Sequence, residues 1–222
     1  MFYSKISRNT LLLIQLIITF NSWTRAQNFQ SLYTLIVWAA RLESPLIASQ
    51  GDLKKVYVRA LKMNYTAQRK KADDFLALHR APKILALCNT SDVAGARIVV
   101  KAGFPAVASS SGGVAWMLGY PDGEIISREE MLEAIRRIAS SVDVPVTADM
   151  EAGYGHAPEI VAETVRLTIE AGAVGLNIED SDSQTKGHPL LDLDLSVERI
   201  AAARAAANDA NIPIVINART DG

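Results

Sequence analysis

Short apolar runs alternate with amphipathic stretches along residues 63–222. Five of these runs have the length of buried strands, and each leads into a polar or glycine-rich segment. The predicted strands cover residues 84–88, 106–109, 144–148, 173–178 and 214–218. Strands that alternate with helices predict a parallel α/β fold, in which functional groups collect at the carboxyl ends of the strands.

Local signals predict the helices between the strands. Apolar residues with helical spacing indicate a helix over 64–79, and another that carries Met131 and Ile135. The predicted helix starts are Asp92, Ser127 with Glu130, and Ser196 as caps, and Pro158 in a first turn. Residues 109–113 are only serine and glycine, so we expect a loop there.

The composition is that of an ordinary globular protein, with 49% hydrophobic and 21% charged residues in 222. A net charge of −1 gives no basic surface, so nucleic acid is not predicted as a partner. Cys88 is the only cysteine, which excludes an internal disulfide and a zinc site built from cysteines. Its apolar neighbours predict a buried structural thiol.

Residues 1–62 do not share the α/β pattern. Lys5 and Arg8 precede an apolar run over 11–20, and polar residues then lead to Ala26, which is roughly the layout of a secretory signal peptide. The run is too short to span a bilayer comfortably. We therefore predict a targeting segment or an upstream extension over 1–62 and a separate domain over 63–222. A cytoplasmic location is expected, with organelle targeting or secretion as the alternative.

Two acids stand close together where the third predicted strand ends. Asp149 and Glu151 are two residues apart, so side-chain alternation along a strand would point them the same way. Neighbouring carboxylates repel each other unless a cation lies between them, and hard divalent ions such as Mg²⁺ prefer oxygen ligands. The pair therefore predicts a metal site, and two solvated acids are the alternative interpretation.

The other predicted strand ends also carry polar groups that could converge on this pair. They are Ser110, Ser111 and Gly112 after the second strand, Asp122 in the loop beyond it, Glu179 after the fourth strand and Arg219 after the fifth. Each has a simpler alternative. Asp122 could be a turn residue, Glu179 a solvated acid, Arg219 half of a surface ion pair and 109–113 a flexible linker. His156 is expected on the surface rather than as a base.

Four ordered motifs resemble the isocitrate lyase / phosphoenolpyruvate mutase superfamily. They are Ser-Gly-Gly followed by Gly-Tyr-Pro-Asp at 111–122, Ala-Asp-Met-Glu-Ala-Gly-Tyr-Gly at 148–155, Gly-Leu-Asn-Ile-Glu-Asp at 175–180 and Asn-Ala-Arg-Thr-Asp at 217–221. The resemblance covers residues 63–222 and implies a (β/α)₈ TIM-type barrel. It also implies a homo-oligomer and Mg²⁺-dependent chemistry on small 2-oxo acids, or on acids that release them.

The resemblance assigns roles to the candidate residues. Asp149 matches the principal metal carboxylate, and Glu151 falls where many members have a second aspartate, so this longer acid is expected to reach the metal shell through water. The remaining matches are Glu179 and Asp122 as outer metal ligands, Ser110, Ser111 and Gly112 as groups that hold a substrate carboxylate, and Arg219 as the arginine for a substrate carboxylate or phosphonate.

One loop departs from the family pattern. Lyases of this family carry Lys-(Lys or Arg)-Cys-Gly-His after the fourth strand, where this chain has Gln-Thr-Lys-Gly-His at 184–188. Lys186 replaces the acid cysteine, so an isocitrate or methylisocitrate lyase of the usual kind is not expected. Lys186 is a candidate catalytic acid, Thr185 a second candidate for a polar role, and a solvated loop lysine the alternative.

Five predicted strands are fewer than the eight that a closed barrel needs, so we expect a barrel truncated after its fifth strand, unstable or inactive as an isolated chain. The favoured function is a Mg²⁺-dependent lyase or phosphonomutase-like enzyme that breaks or rearranges a C–C or C–P bond next to a 2-oxo acid, through an enolate. The alternatives are an inactive barrel fragment or ligand-binding remnant, and a secreted or tethered binding protein. The last rests on the 11–20 run and a possible glycosylation site at Asn64.

Overall fold

The computed structural model describes residues 49–183, 185, 187 and 189–222. The chain divides into two compact units, Met1–Lys62 and Met63–Gly222. The signal-like features at 5–26 lie outside the described residues, so their interpretation stays a prediction. No helix in the described part of the chain is long and apolar enough to cross a membrane. The predicted location also stays a prediction.

A long helix, α1 (Ser49–Arg80), is followed by five strands with helices between them. In chain order these elements are β1 (Cys88–Thr90), α2 (Val93–Lys101), β2 (Val107–Ser109), α3 (Ser111–Leu118), α4 (Arg128–Ser141), β3 (Val146–Asp149), α5 (Pro158–Glu170), β4 (Gly175–Glu179), α6 (Leu193–Asp209) and β5 (Val215–Arg219). The strands form one sheet in the order β1-β2-β3-β4-β5, and every neighbouring pair is parallel. The predicted parallel α/β arrangement is confirmed.

The strand register brings the carboxyl ends of the strands together. Asp149 at the end of β3 is level with Asn177 of β4, and Glu179 at the end of β4 is level with Arg219 of β5. Parallel strands that are sequential neighbours place their following loops along one edge of the sheet. The loops that carry the candidate residues therefore share that edge.

The core lies between the sheet and the helices that cover it. Strand residues such as Leu176 and Ile178 pack in one cluster with the apolar faces of α4 and α5, which include Ile135 and Val165. Phe75 of α1 is 1% exposed and packs in the same cluster. Burying such a side chain contributes about 1.5–3 kcal/mol to the free energy of unfolding.

Gly175 is required where α1 meets β4. A Cβ atom at this position would lie 2.5 Å from the Phe75 ring and 2.7 Å from Oγ1 of Thr147. Because the Phe75 ring is buried and Thr147 lies half-buried beside it, a larger residue here would have to displace one or both of these side chains.

Several predicted helix ends are confirmed. The Asp92 carboxylate accepts a hydrogen bond from Gly95 N at 2.7 Å, and Ser127 and Glu130 form the predicted capping box. Pro158 lies in the first turn of α5. Local signals were sufficient here because a cap involves residues only two or three positions apart.

Other predicted boundaries are wrong. The first strand is Cys88–Thr90 rather than 84–88, and Ile84 is 88% exposed. Only Cys88–Thr90 pairs with β2, and an apolar run by itself does not fix that register. Cys88 is half-buried, so the prediction of a buried thiol is also wrong.

The serine-glycine stretch and the last helix cap also differ from expectation. Ser110 caps α3 by accepting a hydrogen bond from Gly113 N at 3.2 Å, so 111–113 is helical rather than a loop. The cap of α6 is Asp192, not Ser196, because the Asp192 carboxylate accepts from Asp194 N at 2.9 Å. Helix α1 extends well beyond the predicted 64–79.

Candidate functional site

Asp149 lies at the end of β3 and is held by two serines, Ser109 at the end of β2 and Ser111 at the start of α3. Its Oδ2 atom accepts hydrogen bonds from Ser111 N at 3.1 Å and from Ser111 Oγ at 3.0 Å. The backbone N of Asp149 donates to Ser109 Oγ at 2.8 Å. Asp149 is 8% exposed, and its Oδ1 atom is buried without a hydrogen-bond partner. One carboxylate oxygen is therefore fixed, and the other is left for a group outside the protein.

Glu151 is the second buried acid, and it lies in a turn rather than in the strand. The strand ends at Asp149 and Glu151 has a φ of 50°, so strand alternation does not extend to it and the geometric reason given for the pair is wrong. Its Oε2 atom accepts from Glu124 N at 2.6 Å, whereas Oε1 is buried without a partner. Burial, together with the negative charges of Asp122, Glu124 and Asp149, raises the pKa of Glu151 to about 7, against the lowering effect of the hydrogen bond from Glu124 N.

Asp122 and Gly112 are in close contact. A Cβ atom at Gly112 would lie 2.8 Å from Asp122 Oδ2, so only glycine lets the carboxylate rest against α3. Asp122 itself is exposed, and its charge acts on Glu151. A predicted residue of α3 and one of the loop after it are therefore in contact.

Glu179 is paired with Arg219 across β4 and β5. Arg219 Nη1 lies 2.6 Å from Glu179 Oε1, and Nη2 lies 2.9 Å from Asp221 Oδ1. Burial raises the pKa of Glu179 to about 8, against the lowering effect of Arg219, and the charges of Asp221 and Asp149 add to the increase. A cavity of about 320 Å³ opens beside this pair, which is the volume of a small-molecule site. A larger hollow of about 480 Å³ lies elsewhere, between α4 and α5.

Glu124 connects three loops and was not predicted as a site residue. Its Oε1 atom accepts from Tyr154 N at 2.7 Å, and its Oε2 atom accepts from the Ser183 hydroxyl. Its own N donates to Glu151. Glu124, Glu151 and Tyr154 all have positive φ, a conformation that non-glycine residues rarely adopt. The only signal in the sequence was an acid placed directly after the Pro-Asp-Gly turn.

His156 joins the loop after β3 to the loop after β4. Its Nε2 atom lies 2.7 Å from Asp182 Oδ1, and its side chain is partly exposed, which agrees with a position near the surface. Thr185 is exposed, and its N donates to Asp182 Oδ1 at 3.1 Å. Lys186 lies outside the described residues, so its candidate role as an acid stays a prediction.

The acids fit a magnesium ion that keeps most of its water. Among the described residues, no three Asp, Glu, His or Cys side chains are arranged as a ready metal cage. Asp149 and Glu151 nevertheless each bury a carboxylate oxygen without a partner. Mg²⁺ typically binds proteins through one or two carboxylates and retains several waters, so these two acids would be enough to hold the ion, directly or through water. Asp122 and Glu179 would then act through water or by charge.

Residues 75–222 match the phosphoenolpyruvate phosphomutase family. The chain belongs to this family. The family match covers all five strands of the sheet and every acid described above, and it confirms the predicted resemblance.

Individual relatives of the family agree with this assignment. The chain is 37% identical to 2-methylisocitrate lyase of Escherichia coli K12 over 143 residues, which are 62% of this chain and 48% of the relative. A structure from Burkholderia cenocepacia J2315 provisionally classed as a phosphonomutase has a TM-score of 0.66 at 48% identity, covering 68% of this chain and 61% of that one. The structure of 2,3-dimethylmalate lyase, a phosphoenolpyruvate mutase/isocitrate lyase superfamily member, has a TM-score of 0.63 at 32% identity, covering 68% and 53%.

These solved relatives confirm the predicted barrel class of the fold. The chain spans about half the length of the curated relatives it matches. The homo-oligomer that the resemblance implied stays a prediction.

Proposed function

We propose that this chain carries the metal-binding and acid-binding part of a Mg²⁺-dependent lyase or phosphonomutase-like enzyme. The substrate would be a small carboxylate or phosphonate related to a 2-oxo acid, and the reaction would break or rearrange a C–C or C–P bond through an enolate. The observation that carries the proposal is the pair of buried carboxylate oxygens without partners on Asp149 and Glu151, at the carboxyl end of a parallel sheet.

Magnesium would supply positive charge where the enolate oxygen becomes negative, and this kind of electrostatic stabilisation is often the largest contribution to catalysis. Asp149 and Glu151 would hold the ion. Ser111 would keep Asp149 oriented through the two hydrogen bonds to Oδ2, so that Oδ1 faces the ion. The protein residues thus fix the charge before the substrate arrives.

Arg219 would bind the acidic group of the substrate. Its guanidinium is half-exposed beside the 320 Å³ cavity, and it already binds two carboxylates, Glu179 and Asp221. A planar guanidinium can bind a carboxylate or phosphonate with two parallel hydrogen bonds. Ser110, Ser111 and Gly112 would hold the other end of the substrate, although Ser110 and Ser111 also cap α3 and hold Asp149. Lys186 remains the proposed acid.

An inactive barrel fragment that binds a metal–carboxylate ligand is the second candidate. The observation that favours it is the exposure of the last three residues of β5, Asn217, Ala218 and Arg219. An exposed edge strand leaves backbone groups unpaired and one wall of the site open.

Product formation and metal binding test the two candidates together, where the product is pyruvate for cleavage of a C–C or C–P bond and phosphoenolpyruvate for rearrangement of phosphonopyruvate. The chain is incubated with phosphonopyruvate, oxaloacetate or a 2-methylmalate-type acid, with Mg²⁺ or with EDTA, while calorimetry measures Mg²⁺ binding. Product formed only with Mg²⁺ supports the enzyme. Mg²⁺ binding without product supports the binding remnant, and activity that persists in EDTA refutes the metal role.

The residue assignment has a matched control close to the same strand. Asp149→Asn removes the ligand charge and keeps the size of the side chain. Asp143→Asn makes the same change at an exposed aspartate near the opposite end of β3. Loss of Mg²⁺ binding and activity in the first variant alone supports the assignment, whereas an unaffected Asp149→Asn variant refutes it.

A further inference from the structure

Arg199 is a buried charge that the proposed chemistry does not use. It is 1% exposed and lies on the buried face of α6, where the other buried residues are Ala203, Ala206 and Ala207. An arginine is rarely this buried unless it is paired, and alanine would suit this face of the helix better than a long cation. Its position therefore calls for a specific partner.

The partners of Arg199 are two backbone carbonyl groups of the acid-bearing loops. Nη1 donates to the carbonyl oxygen of Glu179 at 3.1 Å, and Nη2 donates to the carbonyl oxygen of Ala152, the residue after Glu151. Its Nε atom is buried without a partner. One guanidinium thus bridges the end of β4 and the turn after β3.

A backbone hydrogen bond joins the same two segments. Glu179 N donates to the carbonyl oxygen of Glu151 at 2.9 Å, in addition to the bridge through Arg199. Glu151 is buried and Glu179 is half-buried. The guanidinium is planar and fork-shaped, so it fixes the separation of two carbonyl groups more rigidly than a lysine could.

The charge of Arg199 also matters at this position. Burial lowers the pKa of Arg199, while the nearby acids Glu124 and Asp180 favour its charged form. An arginine remains protonated under such conditions, so it is a fixed positive charge behind the acids. It contacts no carboxylate oxygen in its described hydrogen bonds, and it leaves those oxygens available to a metal ion.

We propose that Arg199 is a positioning residue that sets the spacing of the Glu151 and Glu179 segments and thereby makes the metal site competent to bind Mg²⁺. The proposal rests on the proposed function only in its metal-binding part. The spacing part is a statement about the metal-free protein and can be tested without any ion.

The test compares Arg199→Met and Arg199→Lys with Arg204→Met in the full chain. Arg204 is the matched control because it lies on the same helix, is exposed, and donates to the carbonyl oxygen of Ile214 at 3.1 Å, away from the acids. Calorimetry with Mg²⁺ alone measures binding. Outer-shell residues of metal sites typically contribute about 10–100-fold in affinity, so Arg199→Met should weaken binding by at least about tenfold. The Mg²⁺ affinity of Arg204→Met should stay within about twofold of that of the parent chain, which is less than the effect typical of outer-shell residues.

Hydrogen exchange of single amides gives the metal-free readout. The amide of Glu179 reports the bridged end, and the amide of Val174, which donates to Val146 O at 2.8 Å, reports the opposite end of the same strand pair. Arg199→Met should speed exchange at Glu179 by about tenfold and leave Val174 unchanged, because only local opening is affected. A general loss of stability would instead speed both amides.

Each outcome decides the proposal. The proposal is supported if Arg199→Met speeds exchange at the Glu179 amide alone and weakens Mg²⁺ binding, and if both effects are smaller in Arg199→Lys. A folded Arg199→Met variant that matches Arg204→Met in both measurements overturns it. If Arg199→Met does not fold, Arg199→Lys is compared with Arg204→Met in the same two measurements. Lysine keeps the positive charge but does not bridge the two carbonyl groups, so it tests the same role. If the parent chain binds no Mg²⁺, the proposed function fails, and the exchange of the Glu179 amide alone decides the spacing role of Arg199.

Discussion

The end of β3 carries a buried acid and the end of β4 a half-buried one, but among the described residues only the second has a positively charged partner. Glu179 at the end of β4 lies 2.6 Å from Arg219. Asp149 at the end of β3 is held by a serine and keeps one buried carboxylate oxygen without a partner. A buried charge is costly unless it is compensated, so the β3 end requires a cation from outside and the β4 end does not. This difference is the reason to place the metal ion at Asp149 and the substrate acid at Arg219.

Removing the charge at the β3 end should have the largest effect. Asp149→Asn keeps an acceptor for Ser111 and removes the ligand charge. Outer-shell residues contribute up to about 100-fold in metal affinity, and the loss of Mg²⁺ affinity in this variant should be larger. Calorimetry measures the dissociation constant. The exposed Asp143→Asn variant should bind Mg²⁺ like the parent chain. Equal affinities in the two variants would show that Asp149 is not a ligand.

The comparison also shows which features the sequence could predict. Alternating strands and helices, the Asp92 and Ser127 caps and the acids at strand ends depend on spacing along the chain, and spacing was sufficient for them. The roles of Glu124 and Arg199 depend on contacts with residues 20 to 59 positions away, which no local pattern encodes. For Arg199 the one usable signal was an arginine on the apolar face of an alanine-rich helix.

The structure brings several of the predicted residues close together, with hydrogen-bond partners that the sequence did not indicate, and their roles stay predictions. Ser111 was predicted as a substrate-binding loop residue, but it begins helix α3 and holds Asp149. Arg219 was predicted to face a substrate, and it also neutralises Glu179. A motif identifies residues that share a site, whereas the hydrogen-bond partners within the site depend on packing that the motif does not contain.

Glu151 should make the metal-free protein sensitive to pH. Its pKa is raised to about 7 in the folded chain by burial and by neighbouring acids, so its folded-state value exceeds that of the unfolded chain. Stability from this group is fully present below the unfolded pKa, near 4.5, and is lost as pH rises through about 7. Denaturant unfolding of the EDTA-treated chain at pH 5 and pH 8 should show lower stability at pH 8.

Mg²⁺ binding and a substitution of Glu151 test whether this group causes the pH dependence. Saturating Mg²⁺ should restore stability at pH 8 because binding to the folded state favours it by mass action. Glu151→Gln in EDTA should lose part of the pH dependence, since the glutamine does not ionise. A variant with the same pH profile as the parent chain would mean that Glu151 is not the responsible group. Glu179, with its raised pKa, should account for the remaining dependence.

Removing Arg219 should make the end of β4 resemble the end of β3, because Glu179 then also lacks this positively charged partner. Arg219→Met leaves the Glu179 carboxylate buried without its ion pair, and an unsatisfied buried group typically costs about 1–3 kcal/mol of folding free energy. The Arg219 side chain is 45% exposed, so the loss should lie at the low end of that range. Denaturant unfolding at a pH above the raised pKa of Glu179 measures it, because the ion pair contributes only while the carboxyl group is ionised.

A second substitution separates the charge effect from packing. Adding Glu179→Gln to Arg219→Met should recover much of the lost stability, because the neutral amide no longer needs a counter-ion. If the double variant is as unstable as the sum of both single variants, the two side chains do not interact and the contrast between the strand ends is incorrect.

The smallest expected effect concerns the link between the loops that follow the two strands. His156 Nε2 lies 2.7 Å from Asp182 Oδ1, but the histidine side chain is 36% exposed, so His156→Gln should change stability by less than about 1 kcal/mol. Hydrogen exchange at Thr185, whose N also donates to Asp182, should rise slightly, because the aspartate loses one of its fixed partners. Glu163→Gln, which removes an exposed ion pair with Arg166 on α5, serves as the control of similar chemistry. A loss of stability in His156→Gln as large as that in Arg219→Met would mean that the contact between the loops, rather than the buried acids, determines the stability of this edge of the sheet.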